Sequence, residues 1–320
     1  MSDANVVVRL AGLTKRFGSQ VAVDDLSLEV PEGSVFGLLG ENGAGKTTTL
    51  QVLLGLVAPS AGRVEVLGLD PTKRGLEVRR QVGYVPEVPA LYDWMTVAEI
   101  GWFAAGFHPD KEVGAAGYQA RFDERAEAFG LPRGRRIKAL SKGTRAKVAL
   151  ALALASDPAL LILDEPTSGL DVLVRREFLE SMVDLAGSGR TVVLSSHQIG
   201  EVERVASHVA LVHKGKVLLA GPLEDLRART FQLALTFTNR EHPTAPPEGS
   251  PLTLVDAADT VRQGVWLVHA PDRSACEMMR ALPGVEGLEI TTPTLEDIYI
   301  AYMRGRRPER SPAPLAVHVA

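Results

Sequence analysis

The sequence predicts an α/β fold: a parallel sheet core carrying an antiparallel β subdomain, with a helical subdomain inside it and a small α+β domain at the C-terminal end. Three observations predict it. Short apolar, β-branched runs alternate with helical stretches, which is the pattern of layered α/β proteins. Several of these runs crowd together before residue 70 around the turn residues Pro31, Glu32 and Gly33, and that marks an added antiparallel piece. Composition then changes twice, becoming purely helical between Val97 and about Leu140 and shifting again after Ala228.

In chain order, strands are expected at Val6 to Leu10, Val35 to Leu39, Arg63 to Leu67, Leu160 to Leu163, Val192 to Leu194 and Val209 to Val212. The helical subdomain spans about residues 97–155 of a main domain covering 1–228, with Arg121 to Phe129 reading as helix. The longest uninterrupted apolar run, Val148 to Ala155, is closed by Lys147 on one side and by Ser156, Asp157 and Pro158 on the other. It is too short to span a bilayer, which takes about 20 residues, and reads as a buried helix. The unit at 229–305 reads as a strand (Phe231 to Phe237), a proline-rich loop (PTAPPEGSP, 243–251), a strand (Val265 to His269), a helix (Arg273 to Leu282), a strand (Leu288 to Thr291) and a helix (Leu295 to Met303). Thr294 and Asp297 form a capping pair for that last helix. The tail at 306–320, rich in proline and arginine, is expected to be disordered.

Composition narrows the function classes. The chain has 320 residues, 45% hydrophobic and 23% charged, so global disorder is excluded. A net charge of −4 gives no overall attraction for nucleic acid, and a single cysteine, Cys276, excludes an internal disulfide and a multi-cysteine metal site. The start, MSDANVVVRL, lacks a basic region followed by an apolar core, so a cytoplasmic location is expected.

The strongest local signal is Gly40-Glu41-Asn42-Gly43-Ala44-Gly45-Lys46-Thr47-Thr48, which follows a strand and matches the P-loop pattern G-x-x-x-x-G-K-[ST]. Glycines let the backbone curl so that successive N–H groups face phosphate oxygens, and the following helix presents its positive end to the same anion. Lys46 is placed to reach the β and γ phosphates and Thr47 to ligate Mg²⁺. A second signal is Leu160-Leu161-Ile162-Leu163-Asp164-Glu165, an unbroken aliphatic run ending in two carboxylates. Such a run is a strand buried on both faces, and ligands of parallel sheets lie at strand carboxyl ends. Asp164 is then a Mg²⁺ residue and Glu165 a general base for the attacking water.

Leu140-Ser141-Lys142-Gly143-Thr144 lies between these motifs, and Ser168-Gly169-Leu170-Asp171 and Ser195-Ser196-His197 follow them. In this order the sequence resembles the ATP-binding subunit of an ABC transporter over about residues 5–228. Val82-Gly83-Tyr84-Val85-Pro86-Glu87 and the ending Thr294-Leu295-Glu296-Asp297-Ile298-Tyr299 resemble the stand-alone ATPases of ABC-2 type exporters. The resemblance implies a P-loop NTPase with a RecA-like parallel core, hydrolysing ATP with Mg²⁺. It implies a head-to-tail homodimer in which Ser141, Lys142 and Gly143 of one chain face the ATP held by Gly40, Asn42, Gly43, Ala44, Gly45, Lys46, Thr47 and Thr48 of the other. Ser141 also suits the N-cap of a helix over Thr144 to Ala155, with or without an anion beside it. His197 takes the place of a histidine that contacts the γ-phosphate and supports the attacking water. Asp171 takes that of a residue linking the two sites, with a turn or cap as its alternative. Phe17 stands where the family stacks an aromatic on adenine.

Two positions depart from the commonest pattern. Glu87 stands where most members carry the glutamine of the Q-loop; a carboxylate still ligates Mg²⁺ through oxygen but loses the amide donors, and a solvated loop glutamate is the other reading. Lys142 replaces a glycine, and either adds attraction for the partner's nucleotide or points into water. The run Arg133, Arg135, Arg136, Lys138, Lys142, Arg145 and Lys147 reads as a solvated basic face, with no interleaved aromatics to make a nucleic-acid platform. The expected function is therefore the ATPase of an exporter, working on a separately encoded integral membrane permease at the cytoplasmic face, with no nucleic-acid partner. A soluble ATPase acting on nucleic acid or the ribosome, and an importer subunit, stay as alternatives. The C-terminal unit carries no catalytic constellation; dimer support, regulation, contact with the membrane partner and plain packing are its open roles.

Overall fold

The computed structural model describes residues 5–108, 114–238 and 243–305. The tail expected to be disordered, 306–320, lies outside the described residues. Two compact units divide the chain: the first runs to Gln198 and resumes over Val205–Val217, and the second takes Ile199–Arg204 and everything from Leu218.

In the first unit, β1 (Val6–Phe17) and β2 (Gln20–Pro31) form an antiparallel hairpin. The chain continues through β3 (Val35–Leu39), α1 (Lys46–Leu53) and β4 (Ala61–Val66), and β4 returns to pair with β1, completing a three-stranded sheet in the order β2-β1-β4. Next come α2 (Pro71–Gln81), capped by the Asp70 side chain, and β5 (Val82–Val85). The helical subdomain follows as α3 (Val97–Ala105), opened by a Thr96–Glu99 capping box, α4 (Gly114–Ala128), a short 3₁₀ turn at Ile137–Ala139 and α5 (Lys142–Ala155). Tyr118, Phe122, Ile137, Val148 and Ala151 share one core, so the apolar run at Val148 is a buried helix as the sequence predicts.

The remaining elements of the first unit are β6 (Leu160–Asp164), α6 (Val172–Gly187), β7 (Thr191–Ser196) and, after the short α7 (Ile199–Val202), β8 (His208–His213). Its parallel strands run in the order β5-β6-β7-β3-β8. Every residue of β3, β6 and β7 is buried, as strands covered on both faces must be. This stacks the carboxyl ends of β3, β6 and β7 side by side.

Leaving through β9 (Lys216–Pro222), the chain enters α8 (Leu223–Arg229), β10 (Thr230–Phe237), β11 (Thr253–Asp259), β12 (Gln263–His269), α9 (Arg273–Glu277) with a 3₁₀ turn, β13 (Val285–Thr291) and α10 (Leu295–Gly305). The four strands form an antiparallel sheet in the order β11-β12-β10-β13 around Phe231, Phe237, Trp266, Cys276 and Met279. Thr294 and Asp297 cap α10 reciprocally, with Asp297 N–H 3.1 Å from the Thr294 hydroxyl and Thr294 N–H 3.0 Å from the Asp297 carboxylate. Residues Leu295, Ile298, Tyr299 and Tyr302 place α10's apolar stripe inward. Glu203, just past α7, accepts from the Leu295 backbone N–H at 3.0 Å and from Arg227 at 2.9 Å, so α7 belongs to this unit.

Candidate functional site

At the end of β3 the chain turns back under steric limits that admit only glycine. A Cβ on Gly40 would fall 2.1 Å from the Val212 carbonyl oxygen, and one on Gly45, whose φ is +103°, 2.5 Å from that of Ala22. Gly45 is also the N-cap of α1 and has no side chain to bond the first-turn N–H groups, which leaves them for an anion. Asn42, Gly43 and Thr47 are exposed, while Ala44 packs inward. Lys46, only 5% exposed, donates to the carbonyl oxygens of Gly40 at 2.6 Å and Glu41 at 3.2 Å.

The end of β6 meets this loop. Thr47 donates its hydroxyl to Asp164 Oδ1 at 3.2 Å. Glu165 takes a left-handed backbone conformation, φ +47°, uncommon for a residue with a side chain. From there its carboxylate lies between two cationic or protonatable groups: Oε1 is 3.0 Å from Lys46 Nζ and Oε2 is 2.8 Å from His197 Nδ1. A buried pair of this kind is held together by mutual attraction that offsets two desolvation penalties. Burial and the neighbouring Asp164 carboxylate push the Tyr84 phenol up to about 12. Lys46, Thr47, Asp164, Glu165 and His197, predicted from separate stretches, thus share one site. Ser195 also belongs to it, bonding both acidic residues. The sequence reading did not single Ser195 out; its place beside Ser196-His197 at a strand end is the signal available.

The other predicted residues lie elsewhere in this unit. Phe17 is half exposed at the end of β1 with Lys15 Nζ 4.8 Å from its ring centre, so one aromatic face stays accessible. Ser141 caps α5, accepting from Thr144 N–H at 3.2 Å. Lys142 is exposed and lies over Gly169 of the Ser168-to-Asp171 turn, where a Cβ would come within 2.6 Å of its Nζ. Gly143 is partly buried against Val174. Asp171 caps α6, accepting from Val174 N–H at 3.0 Å. Glu87 is exposed and makes no hydrogen bond or ion pair among the described residues. Within the basic run, Arg133, Arg145 and Lys147 are ion-paired with Asp123, Asp93 and Glu177.

A glycine loop between strand and helix, its lysine buried against an acidic strand end, defines a P-loop nucleoside triphosphatase. Comparison with known proteins gives the particular family. The family model "ABC transporter" matches residues 23–168. Over 311 residues the chain is 34% identical to a daunorubicin resistance ATP-binding protein of Streptomyces coeruleorubidus, covering 93% of this chain and 96% of that one. It is 36% identical to a bacitracin transport ATP-binding protein of Bacillus licheniformis over 241 residues, 72% of this chain and 76% of the relative. A solved structure described as the ATP-binding subunit of an ABC transporter superposes with a TM-score of 0.62 at 31% identity, covering 69% of this chain and 92% of that one. The chain belongs to the ABC transporter ATP-binding proteins and is an ABC transporter ATPase, of a family that binds ATP. Among the described residues no helix is long and apolar enough to cross a membrane.

Proposed function

We propose that this chain is the ATPase of an ABC-2 type exporter, and that it works as a head-to-tail homodimer on a separate integral membrane subunit. The observation that carries the reading is the Glu165 carboxylate held between Lys46 and His197 beside the P-loop. In this reading, Lys46 leaves its carbonyl acceptors for the β and γ phosphates, the N–H groups of Gly43, Gly45, Lys46, Thr47 and Thr48 hold the phosphate chain, and Phe17 stacks on adenine. Glu165 takes the proton of the attacking water, and His197 steadies that carboxylate and the γ-phosphate.

Mg²⁺ fits the hard oxygen donors at the site. No group of three or more His, Cys, Asp or Glu side chains is arranged for a metal among the described residues, but Mg²⁺ bound with nucleotide needs only one or two carboxylates, a hydroxyl and phosphate oxygens. Thr47 and Asp164, already 3.2 Å apart, supply such a set, with Glu87 as a third candidate. When bound, the ion neutralises charge on the phosphates.

Dimerisation is supported by Val172 and Leu173, both strongly exposed apolar residues directly after Asp171. Ser141, Lys142 and Gly143 then meet the partner's ATP at the positive end of α5. For the membrane subunit, the support is an aromatic surface near the Q-loop position. Trp94 and Trp102 are 65% and 73% exposed, Tyr92 and Phe107 are exposed too, and Tyr92 packs beside Trp94. The names of the relatives, for daunorubicin resistance, bacitracin transport and Nod factor export, favour an exporter. The test is Glu165→Gln: the variant should bind ATP, hydrolyse it at least 100-fold more slowly and run as a dimer with ATP on size exclusion. A variant that stays monomeric with ATP overturns the sandwich. Recovery of a multi-span protein with the chain from mild detergent supports the transporter assembly; recovery of ribosomes or DNA in its place overturns it.

A further inference from the structure

Ser195 is the residue of the site that no motif role absorbs. It is the last residue but one of β7, opposite Asp164 in the parallel ladder, and its side chain is wholly buried. Its hydroxyl uses both its hydrogen-bonding capacities on the two acidic residues. It donates to Asp164 Oδ1 at 2.6 Å and accepts from the Glu165 backbone N–H at 3.0 Å, while the Ser195 carbonyl also accepts from that N–H at 3.2 Å. Thr47 donates to the same Oδ1. Asp164 therefore has one oxygen loaded with two hydroxyl donors, which fixes its rotamer and turns Oδ2 away from them. Glu165 is gripped by its N–H at the point where its φ becomes positive. A left-handed backbone is costly for a residue with a side chain, and its surroundings must hold it there.

We propose that Ser195 is a positioning residue of the ATPase: its hydroxyl orients Asp164 toward the metal and holds Glu165 in the backbone conformation that delivers its carboxylate to Lys46 and His197. This rests on the reading of Asp164 as a Mg²⁺ residue and Glu165 as the base. A serine that only satisfied the strand end would need to bond one neighbour; the hydroxyl of this one bonds both residues of the acidic pair and no other group among the described residues. Partners that orient metal ligands typically change metal affinity or activity by about 10- to 100-fold when removed.

The test uses the full chain with Ser195→Ala, which removes the hydroxyl, and Ser195→Thr, which keeps it. Ser195→Ala should lower kcat about 10- to 100-fold and raise KM for Mg-ATP by about tenfold. Binding of a fluorescent ATP analogue in EDTA should match wild type, while the gain in affinity on adding Mg²⁺ shrinks about tenfold. Ser195→Thr should recover most of both losses. Asp164→Asn and Glu165→Gln serve as references. If they are impaired while Ser195→Ala keeps wild-type kcat and Mg²⁺ response, the positioning role is overturned and the reading of the acidic pair stands. If Asp164→Asn binds Mg-nucleotide and Glu165→Gln turns over as wild type does, that reading fails and the proposal falls with it. Metal-free nucleotide binding lost in parallel with kcat, or no recovery in Ser195→Thr, also overturns it.

Discussion

In the first unit the buried polar groups include the ion-paired Lys46 and Glu165, the latter on a strained backbone, and Asp164, bonded by Thr47 and Ser195. In the second the fully buried ones include Thr230 and Cys276, neutral groups, with His269 partly buried beside them and the partly buried Glu203 paired with Arg227. His269 bonds Thr230 at 3.2 Å and Tyr302 at 2.7 Å, pinning α10 to the sheet. Burial lowers the His269 pKa and raises that of the Cys276 thiol to about 11, so both stay uncharged near neutrality. The difference separates two uses of burial. Charge kept out of water at a cost is retained for chemistry, and neutral polar groups satisfied inside a core serve architecture.

The largest expected effect comes from the charged cluster: Lys46→Ala should remove ATP hydrolysis altogether, read by phosphate release, and normal activity would dissolve the contrast between the units. Next, His197→Ala should slow turnover by about 10- to 100-fold while leaving the melting temperature within a few degrees, because the imidazole is partly exposed and its partner Glu165 keeps Lys46.

The second unit should answer in stability. Glu203→Ala removes the acceptor of the Leu295 N–H and of Arg227, costing about 1 to 3 kcal/mol in chemical denaturation. A smaller effect belongs to His269. Its folded pKa lies below the ordinary 6.5, so the unfolded chain binds the proton more readily; the stability contribution is complete above about 6.5 and is lost as pH falls from there toward the lowered value. Thermal melts from pH 8 to 5 should therefore show a steeper acid loss in wild type than in His269→Gln. Least of all, Cys276 should resist maleimide in the native chain and react once denatured, checked by mass spectrometry.

Legibility in the sequence followed the same division. The P-loop and the acidic strand end were readable because phosphate chemistry needs those residue types at fixed places beside strands, His197 was implied by the family resemblance alone, and β3 and β6 were readable because a strand buried on both faces is an unbroken apolar run. The strand β2 has an alternating pattern interrupted by Asp24 and Asp25, the latter at φ +51°, and escaped a search for continuous runs. Strand β11 lies at a sheet edge with Asp256, Ala257 and Ala258 in its middle, residues of low strand preference that only its pairing with β12 commits. The helix expected from Arg273 to Leu282 divides into α9 and a 3₁₀ turn over Met278–Ala281. Ser195 was invisible for another reason: a hydroxyl acting on neighbours through strand register has no spacing of its own in the sequence.

The placement of Ile199–Arg204 bears on how the gene can be shortened. A transcript stopped before Leu218 would still encode Ile199 and Val202, buried residues, together with Glu203, but not the Arg227 and Leu295 that meet its carboxylate. The truncated product would carry an apolar turn and an orphaned acid immediately after its histidine, a recipe for precipitation in the expression host. Recombination that exchanges C-terminal domains between such chains would have to exchange six residues upstream as well.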